Sequence, residues 1–479
     1  MPRHSTNPWV ILVLICFAQF MVVLDATVVN VALPSIQNDL HLSEANLQWI
    51  VNAYTLVFGG FLLLGGRAGD LLGRKRLFLG GLIVFTAASL LDGLAVSSGM
   101  LIGSRALQGL GAAFISPAAL AIISTTFKDG ADRAKALGVW AAIAIGGSAI
   151  GLVLGGALTQ TLSWPWIFFI NVPVGIAVFV LSLRLIPESK DESAQRGFDV
   201  FGAVFVTSGL MTLVYAIVEA ERYGWGSGRT LGTFVLAALL IVAFVIRQMR
   251  YATPLVRLSI FRTRSLTVAN VVMFLVGSGL FAMFFFNSLY IQRVLGFGPL
   301  DAGLAFLPFT AGIMVSAGFA SSFAHRIGTR PIAVGGMILT SIGMLMLARL
   351  PVDGSYARDV LPSLIVTSLG LGCVFVPLTL IATTGLEDED QGLASGLFNT
   401  SQQVGGALGL AILSTFAASK TNSVHGTAKD VALVDGFHVA FAGGAIFVAL
   451  GLVALLALLR RHHVVRIEAE ADAAAAQAA

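Results

Sequence analysis

The sequence predicts an all-α, polytopic membrane protein with fourteen transmembrane helices, and three observations support this fold class. First, 57% of the 479 residues are hydrophobic and only 11% are charged, whereas soluble domains carry about 25% charged residues. Second, long apolar stretches recur along the whole chain, which has a mean hydropathy of +0.88. Third, Lys and Arg cluster in alternate connecting loops. A water-soluble fold of this size could not cover so much apolar surface, so lipid is the expected solvent.

Fourteen stretches have the length of about 20 mainly apolar residues that a spanning helix needs. Backbone groups in lipid must be satisfied within the segment, which favours a bundle of helices. The connections are mostly short and rich in Gly, Pro and charge, as turns between helices are. The predicted spans are 9–33, 46–66, 77–97, 100–123, 136–158, 166–186, 199–218, 230–247, 266–290, 302–323, 332–350, 360–384, 395–417 and 437–459.

Basic residues predict the orientation of these spans. A cytoplasmic N-terminus places most of the 29 Lys and Arg residues in inner loops, so the positive-inside rule predicts that both termini are cytoplasmic. The similar loops Asp70–Lys75 and His325–Arg330 occupy matching places once two central spans are left out, and two six-helix halves are a known transporter plan. The predicted domains are a six-helix bundle at 1–198, two extra helices at 199–250, a second six-helix bundle at 251–460 and a disordered cytoplasmic tail at 461–479.

An acidic residue, Asp25, lies inside the first apolar span, in FMVVLDATVVNVALP. An ionised carboxylate at the centre of a bilayer costs roughly 2.5–3.5 kcal/mol on insertion scales. Counting 1.5 Å per residue places Asp25 and Arg105 of the fourth span at matching depths. Opposite charges at one depth can face each other in a bundle interior. Gln108, one turn from Arg105, and Thr27 and Asn30 near Asp25 add polarity to the same region and could line a substrate cavity.

Two interpretations of the acid and the base remain open. They form a purely structural pair, or they form a site that loads and unloads a proton as its exposure changes. An acid beside lipid must be neutralised, paired or hydrated, and each environment changes its proton affinity. The second interpretation predicts a proton-coupled transporter. Asp92 and Glu219 are weaker acidic candidates near the outer ends of their spans, and a water-exposed helix end is the expected environment of Asp92.

Two motifs contain recurring glycines. GGRAGDLLGRKRL ends the second span, and its Gly, Asp and Arg in fixed order are more specific than the basic loops that orient most membrane proteins. In the fifth span Gly147, Gly151 and Gly155 recur every four residues, a spacing that lets two membrane helices pack closely. Such a smooth helix face could also slide or open.

Polar and aromatic side chains in the second half have two readings each. Asn399, Gln402 and Gln403 enter the thirteenth span and could line a substrate cavity or bind neighbouring backbone. In the ninth span, four Phe residues could line a substrate path: Phe281, Phe284, Phe285 and Phe286. Packing or lipid contact is expected at their helical spacing. The chain has no GxxxxGK[ST] nucleotide loop and no HExxH zinc motif, so neither an enzyme, nor a cofactor, nor a metal is expected.

Several of these motifs together resemble the major facilitator superfamily, and more narrowly its fourteen-span drug/proton antiporter branch. The motifs are LDATVVNVALP, GRAGDLLGRKRL, RALQGLGAA, the Gly-rich fifth span, GFDVFGA and GLASGLFNTSQQVGGALGLA. The resemblance covers nearly the whole chain. It implies the major facilitator fold, with two six-helix bundles and two inserted central helices, and a role in multidrug efflux and antibiotic resistance.

The resemblance also implies roles for individual residues. Asp25 matches the proton-coupling acid, and Arg105 matches the Arg that responds to its protonation. The matches to the conformational latch are Asp70, Gly73 and Arg74, and the matches to the antiporter motif are Gly151, Gly155 and Gly156. Leu152 stands where this motif usually has Pro, which leaves the direction of transport open.

The leading hypothesis is therefore a multi-pass protein of the cytoplasmic membrane that uses the proton gradient, without a cofactor, to export a small molecule. The substrate is expected to be hydrophobic or cationic and amphipathic. Expected partners are this substrate, protons and the lipid bilayer, with no nucleic acid, and the chain is expected to act as a monomer. The alternatives are an uptake or lipid carrier of the same fold and a membrane receptor or scaffold that transports nothing.

Overall fold

The structure is a computed structural model that describes residues 7–127, 130–189, 197, 199–383, 388–423 and 429–459. All regular elements within these ranges are helical. The predicted tail at 461–479 lies outside them. The α-helices are α1 (Pro8–Leu40), α2 (Glu44–Leu72), α3 (Arg74–Gly93), α4 (Ser98–Thr126), α5 (Gly130–Thr161), α6 (Trp166–Phe169), α7 (Asn171–Leu185), α8 (Val200–Tyr223), α9 (Gly228–Arg250), α10 (Arg264–Leu289), α11 (Pro299–Ala305), α12 (Leu307–Ile327), α13 (Thr329–Leu347), α14 (Leu361–Thr383), α15 (Asp388–Ser423) and α16 (Lys429–Leu458).

The helices agree with the spans that the sequence predicts. Thirteen helical stretches among the described residues are long and apolar enough to cross a membrane. The predicted span at 136–158 falls within α5, whose 32 residues exceed the required length and whose side chains are described only in part. The predicted all-α, polytopic fold class is confirmed.

The predicted sixth span is interrupted near its start. Pro165 precedes the four-residue helix α6, and α7 begins only after Ile170. Ile170 itself keeps helical dihedral angles, with φ −60° and ψ −28°, so the interruption is one residue long. Asn171, the first residue of α7, contributes to the buried polar cluster described below.

The chain divides into two compact units. The first comprises Met1–Met211, Ala237–Leu255 and Gly298–Leu304, and the second comprises Thr212–Leu236, Val256–Phe297 and Ala305–Ala479. The domain boundaries expected from the sequence stay a prediction.

In the first unit α4 packs against α2 and α3, while α1 packs against α5 and α7. Glycines make the close approach of α4 possible. A Cβ at Gly109 would lie 2.4 Å from the carbonyl oxygen of Tyr54, and one at Gly111 would lie 2.6 Å from the backbone nitrogen of Phe85. Helices in lipid gain no hydrophobic driving force for association, so close van der Waals packing has to stabilise their contact. Small residues at the crossings allow this close approach.

We expect Gly111→Ala to lower the thermal unfolding temperature of the detergent-solubilised protein. The added methyl group meets backbone atoms of Phe85 that cannot move independently, and overpacking of this kind costs typically about 1–3 kcal/mol. The matched control is Gly103→Ala on the same helix, because a Cβ at Gly103 has no neighbour within 4 Å. Equal unfolding temperatures for the two variants would contradict the packing described for α4.

The second unit repeats this order of packing. α14 packs against α12 and α13, and α10 packs against α15, as α4 does with α2 and α3 and as α1 does with α5. Close glycine contacts recur as well: a Cβ at Gly372 would lie 2.6 Å from the carbonyl oxygen of Ile313, and one at Gly405 would lie 2.1 Å from that of Phe274. This is the arrangement that the predicted internal repetition requires.

Four of the five Phe residues of α10 are packing residues, namely Phe281, Phe284, Phe285 and Phe286. Phe285 and Phe286 are buried, and the Phe284 ring lies 5.0 Å from the Phe309 ring of α12. A Cβ at Gly406 of α15 would lie 2.6 Å from the Phe281 ring. The packing interpretation therefore describes these rings within the second unit.

Candidate functional site

Asp25 of α1 and Arg105 of α4 form a buried ion pair in the first unit. The Arg105 Nη1 atom lies 2.6 Å from Asp25 Oδ2. The exposed fractions are 0% for Asp25 and 1% for Arg105, so neither side chain reaches water or lipid. The acid and the base face each other, as their predicted depths require.

Two amides complete the environment of the Asp25 carboxylate. Gln108 Nε2 donates to Asp25 Oδ1 at 2.8 Å, and Asn171 Nδ2 donates to the same oxygen at 3.0 Å. Together with Arg105, the carboxylate accepts hydrogen bonds from three side chains. A buried charge is tolerated only when it is paired and hydrogen-bonded, and Asp25 meets both conditions as a carboxylate.

The Arg105 guanidinium is held by more than its acid. Nη1 also donates to Gln108 Oε1 at 2.5 Å, and Nε donates to the Ile50 carbonyl oxygen at 3.2 Å. The Tyr54 ring of α2 lies 4.4 Å from the guanidinium carbon, which adds a cation–π contact. Arg105 therefore joins α1, α2 and α4 through one charged group.

Ser89 of α3 links the amides to the backbone. Its hydroxyl donates to the Phe168 carbonyl oxygen at 2.9 Å and accepts from Asn171 Nδ2 at 3.0 Å and from Gln108 Nε2 at 3.2 Å. Neither Ser89 nor Asn171 was predicted. Asn171 could have been noticed in the sequence, because it is a lone amide in the apolar run WIFFINVPVG.

The expectation that Asp92 occupies a water-exposed helix end is wrong. Asp92 is fully buried, and its Oδ1 lies 2.5 Å from the Ser104 hydroxyl of α4. The physical reason is a cover over this end of α3: a Cβ at the neighbouring Gly93 would lie 2.3 Å from the Phe169 ring of α6. The other secondary candidate, Glu219, is half-buried on α8 in the second unit, whereas the cluster lies in the first unit.

The remaining cavity candidates of the first unit are engaged locally. Thr27 donates to the Val23 and Leu24 carbonyl oxygens at 3.0 Å, and Asn30 donates to the Ala26 and Thr27 carbonyl oxygens. Gln108, which was also predicted to line a substrate cavity, is fully buried and binds Asp25. Gln108 therefore belongs to the ion-pair cluster.

The cavity candidates of the second unit lie on α15. Asn399 is exposed and donates to the Ser395 carbonyl oxygen of its own helix at 3.0 Å. Gln402 and Gln403 are half-buried. Their role in a substrate cavity stays a prediction.

The residues of the predicted latch meet at the α2–α3 connection. Arg74 Nη2 lies 3.0 Å from Asp70 Oδ1, so the acid and the base of the motif pair with each other. Gly73 has a φ of +109°, a conformation that side chains disfavour. The backbone after Gly73 is hydrogen-bonded to the segment that follows α7. Arg74 N donates to the Ser189 carbonyl oxygen at 2.8 Å, and Lys75 N donates to Glu188 Oε1 at 3.1 Å.

We expect Gly73→Ala to destabilise this connection. The backbone conformation costs a residue with a Cβ about 1–3 kcal/mol, and the new methyl carbon would lie 2.5 Å from Glu188 Oε1. Gly69→Ala is the control, because a Cβ at Gly69 makes an ordinary contact of 3.5 Å with Leu77. Faster hydrogen exchange of the Arg74 and Lys75 amides in the Gly73 variant alone is the expected result, and equal exchange in both variants would refute it.

The glycines of the antiporter motif pack at two places within the first unit. Gly151 and Gly155 face α1, where a Cβ would lie 2.3 Å from Thr27 Oγ1 and Val28 Cγ2 respectively. A Cβ at Gly147 would lie 3.2 Å from the Phe20 ring. A Cβ at Gly156 would instead lie 2.3 Å from the Pro299 carbonyl oxygen of α11. The close packing predicted from the spacing of the glycines is present.

The site is a buried, hydrogen-bonded ion pair within helices long and apolar enough to cross a membrane. Among the described residues, no group of three or more His, Cys, Asp or Glu side chains could hold a metal ion. Ionisable residues inside membrane helices are rare, pair with one another and mark candidate functional sites, and the buried acid and base on α1 and α4 meet this description.

Comparison with known sequences identifies the transporter family. The profile of the Major Facilitator Superfamily matches residues 15–410 and again residues 271–478; the second match begins within α10, in line with the repeated packing. The chain belongs to the Major Facilitator Superfamily, and it is a transporter and not an enzyme.

Individual relatives cover almost the full chain. The chain is 40% identical to a puromycin resistance protein of Streptomyces alboniger over 94% of this chain and 90% of the relative. It is 38% identical to a cephamycin export protein of Amycolatopsis lactamdurans over 91% and 89%. A crystal structure of a peptide transporter in complex with sulfate has a TM-score of 0.69 with 16% identity and covers 95% of each chain, which shows the shared fold.

Proposed function

We propose that this chain is a proton-coupled antiporter that exports drugs or other amphipathic small molecules across the cytoplasmic membrane by alternating access. The observation that carries the proposal is the fully buried Asp25–Arg105 pair with its amide donors. The names of two relatives, a puromycin resistance protein and a cephamycin export protein, support antibiotic-like substrates and outward transport.

Protonation of Asp25 is the proposed coupling step. As a carboxylate, Asp25 is the counterion of Arg105. A proton on Asp25 removes that charge and leaves the guanidinium buried without a counterion, an arrangement that costs several kcal/mol in a protein interior. This cost favours a conformation in which Arg105 finds water or another acid. Proton binding at the buried site thus changes the relative free energies of the inward-open and outward-open conformations.

The energy comes from the proton gradient alone. The membrane potential contributes about 2.3 kcal/mol per elementary charge per 100 mV, and the pH difference adds to it. We place both termini in the cytoplasm, from the distribution of Lys and Arg, and expect a monomer to be sufficient. The proposed substrate is hydrophobic or cationic and comes from the cytoplasm or the inner leaflet.

Transport into inside-out vesicles tests the proposal. Inside-out vesicles are prepared from a host that lacks its own efflux pumps and expresses this chain in its membrane. Ethidium or radiolabelled puromycin is added outside, and the lumen is then acidified. Uptake that follows the proton gradient and stops when an ionophore dissipates it is the expected result. Uptake that ignores the gradient would overturn antiport.

Leu152 gives one reason to test direction as well. It replaces the Pro of the family's antiporter motif, so an uptake or lipid carrier of the same fold is the second candidate. Right-side-out vesicles distinguish the two: accumulation there, with none in inside-out vesicles, would favour the carrier. A scaffold that transports nothing would have no use for the cost of a buried acid and base.

A further inference from the structure

The carboxyl group of Asp92 is buried in a different way from that of Asp25. Asp25 accepts hydrogen bonds from three side chains, whereas within the described part of the chain the Asp92 carboxyl is hydrogen-bonded to Ser104 alone. Asp92 Oδ2 is buried and has no hydrogen-bond partner among the described residues. An ionised carboxylate has two oxygens that accept and none that donates, so an ionised Asp92 would leave one buried oxygen unsatisfied.

The Ser104 hydroxyl makes an ionised Asp92 still less favourable. This hydroxyl has one hydrogen but lies near three acceptors: Asp92 Oδ1 at 2.5 Å, the Met100 carbonyl oxygen at 2.8 Å and the Leu101 carbonyl oxygen at 3.1 Å. If Asp92 carries a proton, its O–H donates to the Ser104 oxygen, and the Ser104 hydrogen remains for the backbone. Protonation therefore ends the competition for the Ser104 hydrogen and leaves Oδ2 as a neutral carbonyl oxygen, which costs far less to bury without a partner than a charged oxygen does.

Charge balance in the cluster points the same way. The charged groups that act on Asp92 are Arg105 of α4 and Asp25 of α1, and both acids act on Arg105. The other elements at this end of α3 contribute the uncharged Phe169 of α6 and Asn171 of α7. One buried cation is neutralised by one carboxylate, and Asp25 already fills that place.

We propose that Asp92 is a second proton-binding site of the transporter and the alternative counterion of Arg105. In the conformation of this structure Asp25 is ionised and Asp92 is protonated. In the partner state the Asp92 O–H bond breaks, an O–H bond forms at an Asp25 oxygen, and Arg105 pairs with the ionised Asp92. The cluster stays neutral in both states. The cycle closes when Asp25 releases its proton to water, Arg105 returns to Asp25 and Asp92 takes up a new proton from water.

The neighbouring contacts support such an exchange. Ser104 and Arg105 are consecutive residues of α4, and they bind Asp92 and Asp25 respectively. Ser89, one turn before Asp92 on α3, binds Gln108 and Asn171, which both donate to Asp25. The two acids are thus linked through consecutive residues of α4, and both act electrostatically on Arg105. This inference rests on the proposed proton coupling and adds a second carboxyl to it.

Infrared spectroscopy of the purified full-length protein tests the protonation of Asp92 without any transport. At about pH 8, exposed Asp and Glu are ionised, since their ordinary pKa values are about 3.9 and 4.3. We expect the wild type to show the carbonyl band of a protonated carboxylic acid in a dry environment. Asp92→Asn should lose this band. Asp25→Asn should lose it as well, because Arg105 then has only an ionised Asp92 as its counterion, whereas Asp301→Asn, which alters an exposed acid, should keep it. A band that persists unchanged in Asp92→Asn, or no band in the wild type, would overturn the proposal.

Two further measurements keep the test decisive. Should Asp92→Asn fail to fold, Ser104→Ala should shift the band to higher frequency, because the carboxyl O–H loses its acceptor; an unshifted band would count against the assignment. In inside-out vesicles Asp92→Asn should lose gradient-driven uptake, and Asp301→Asn, which alters an exposed acid of α11, is its matched control. Absence of gradient-driven uptake in the wild type would refute the proposed antiport, whereas wild-type uptake that survives Asp92→Asn would refute this inference alone.

Discussion

We expect Asp25→Asn to abolish proton-driven export of ethidium or puromycin in inside-out vesicles while the protein still inserts and folds. Asparagine has the shape of a protonated aspartic acid, and its amide oxygen still accepts a hydrogen bond from Arg105. It cannot release a proton, so the site stays in the state that follows proton binding. The gradient then has no group on which to act, and uptake falls to the level of vesicles without the chain.

The control for this variant is Asp132→Asn, which removes an exposed carboxylate in the first turn of α5. It should transport like the wild type at equal amounts of protein in the membrane. Thermal unfolding in detergent verifies that the Asp25 variant is folded. Gradient-driven uptake by Asp25→Asn at the wild-type rate would remove Asp25 from the mechanism, whatever the substrate.

Arg105→Gln should lower stability as well as abolish transport. Removing one partner of a buried ion pair costs about 3–5 kcal/mol, because the other charge stays buried and uncompensated. The variant also loses the hydrogen bond to the Ile50 carbonyl oxygen and the cation–π contact with Tyr54. We therefore expect a thermal unfolding temperature well below that of the wild type.

The double variant Asp25→Asn/Arg105→Gln separates the pair energy from the other losses. Neighbouring residues of one network are not additive, so the double variant should be more stable than Arg105→Gln alone, although it transports nothing. Lower stability that equals the sum of the two single variants would show that the acid and the base do not interact as their 2.6 Å separation requires.

The sequence was sufficient to predict the fold class and the central pair. Apolar stretches of spanning length define the helices because lipid leaves few other solutions for the backbone. Asp25 and Arg105 were identifiable because charge is rare in such stretches, and helix rise alone matched their depths. The family resemblance then covered the whole chain.

The partners of the pair depend on helix rotation, which the sequence does not reveal. Asn171 is one amide in an apolar run, and Ser89 looks like any small residue of a membrane helix. Asp92 was expected in water because it lies five residues before the end of its predicted span at 77–97, but the Phe169 ring of the next short helix covers that end. Gln108 was placed near the correct group, and its role in a substrate cavity stays a prediction.

The most direct test of proton coupling at Asp25 is proton release on substrate binding. Purified wild-type protein in a weakly buffered solution receives puromycin, and a pH indicator records the protons that appear. A coupled antiporter in which substrate and proton favour opposite states of Asp25 should release protons on binding, and Asp25→Asn should release none while it still binds puromycin. Equal proton release by the two proteins would contradict the role assigned to Asp25.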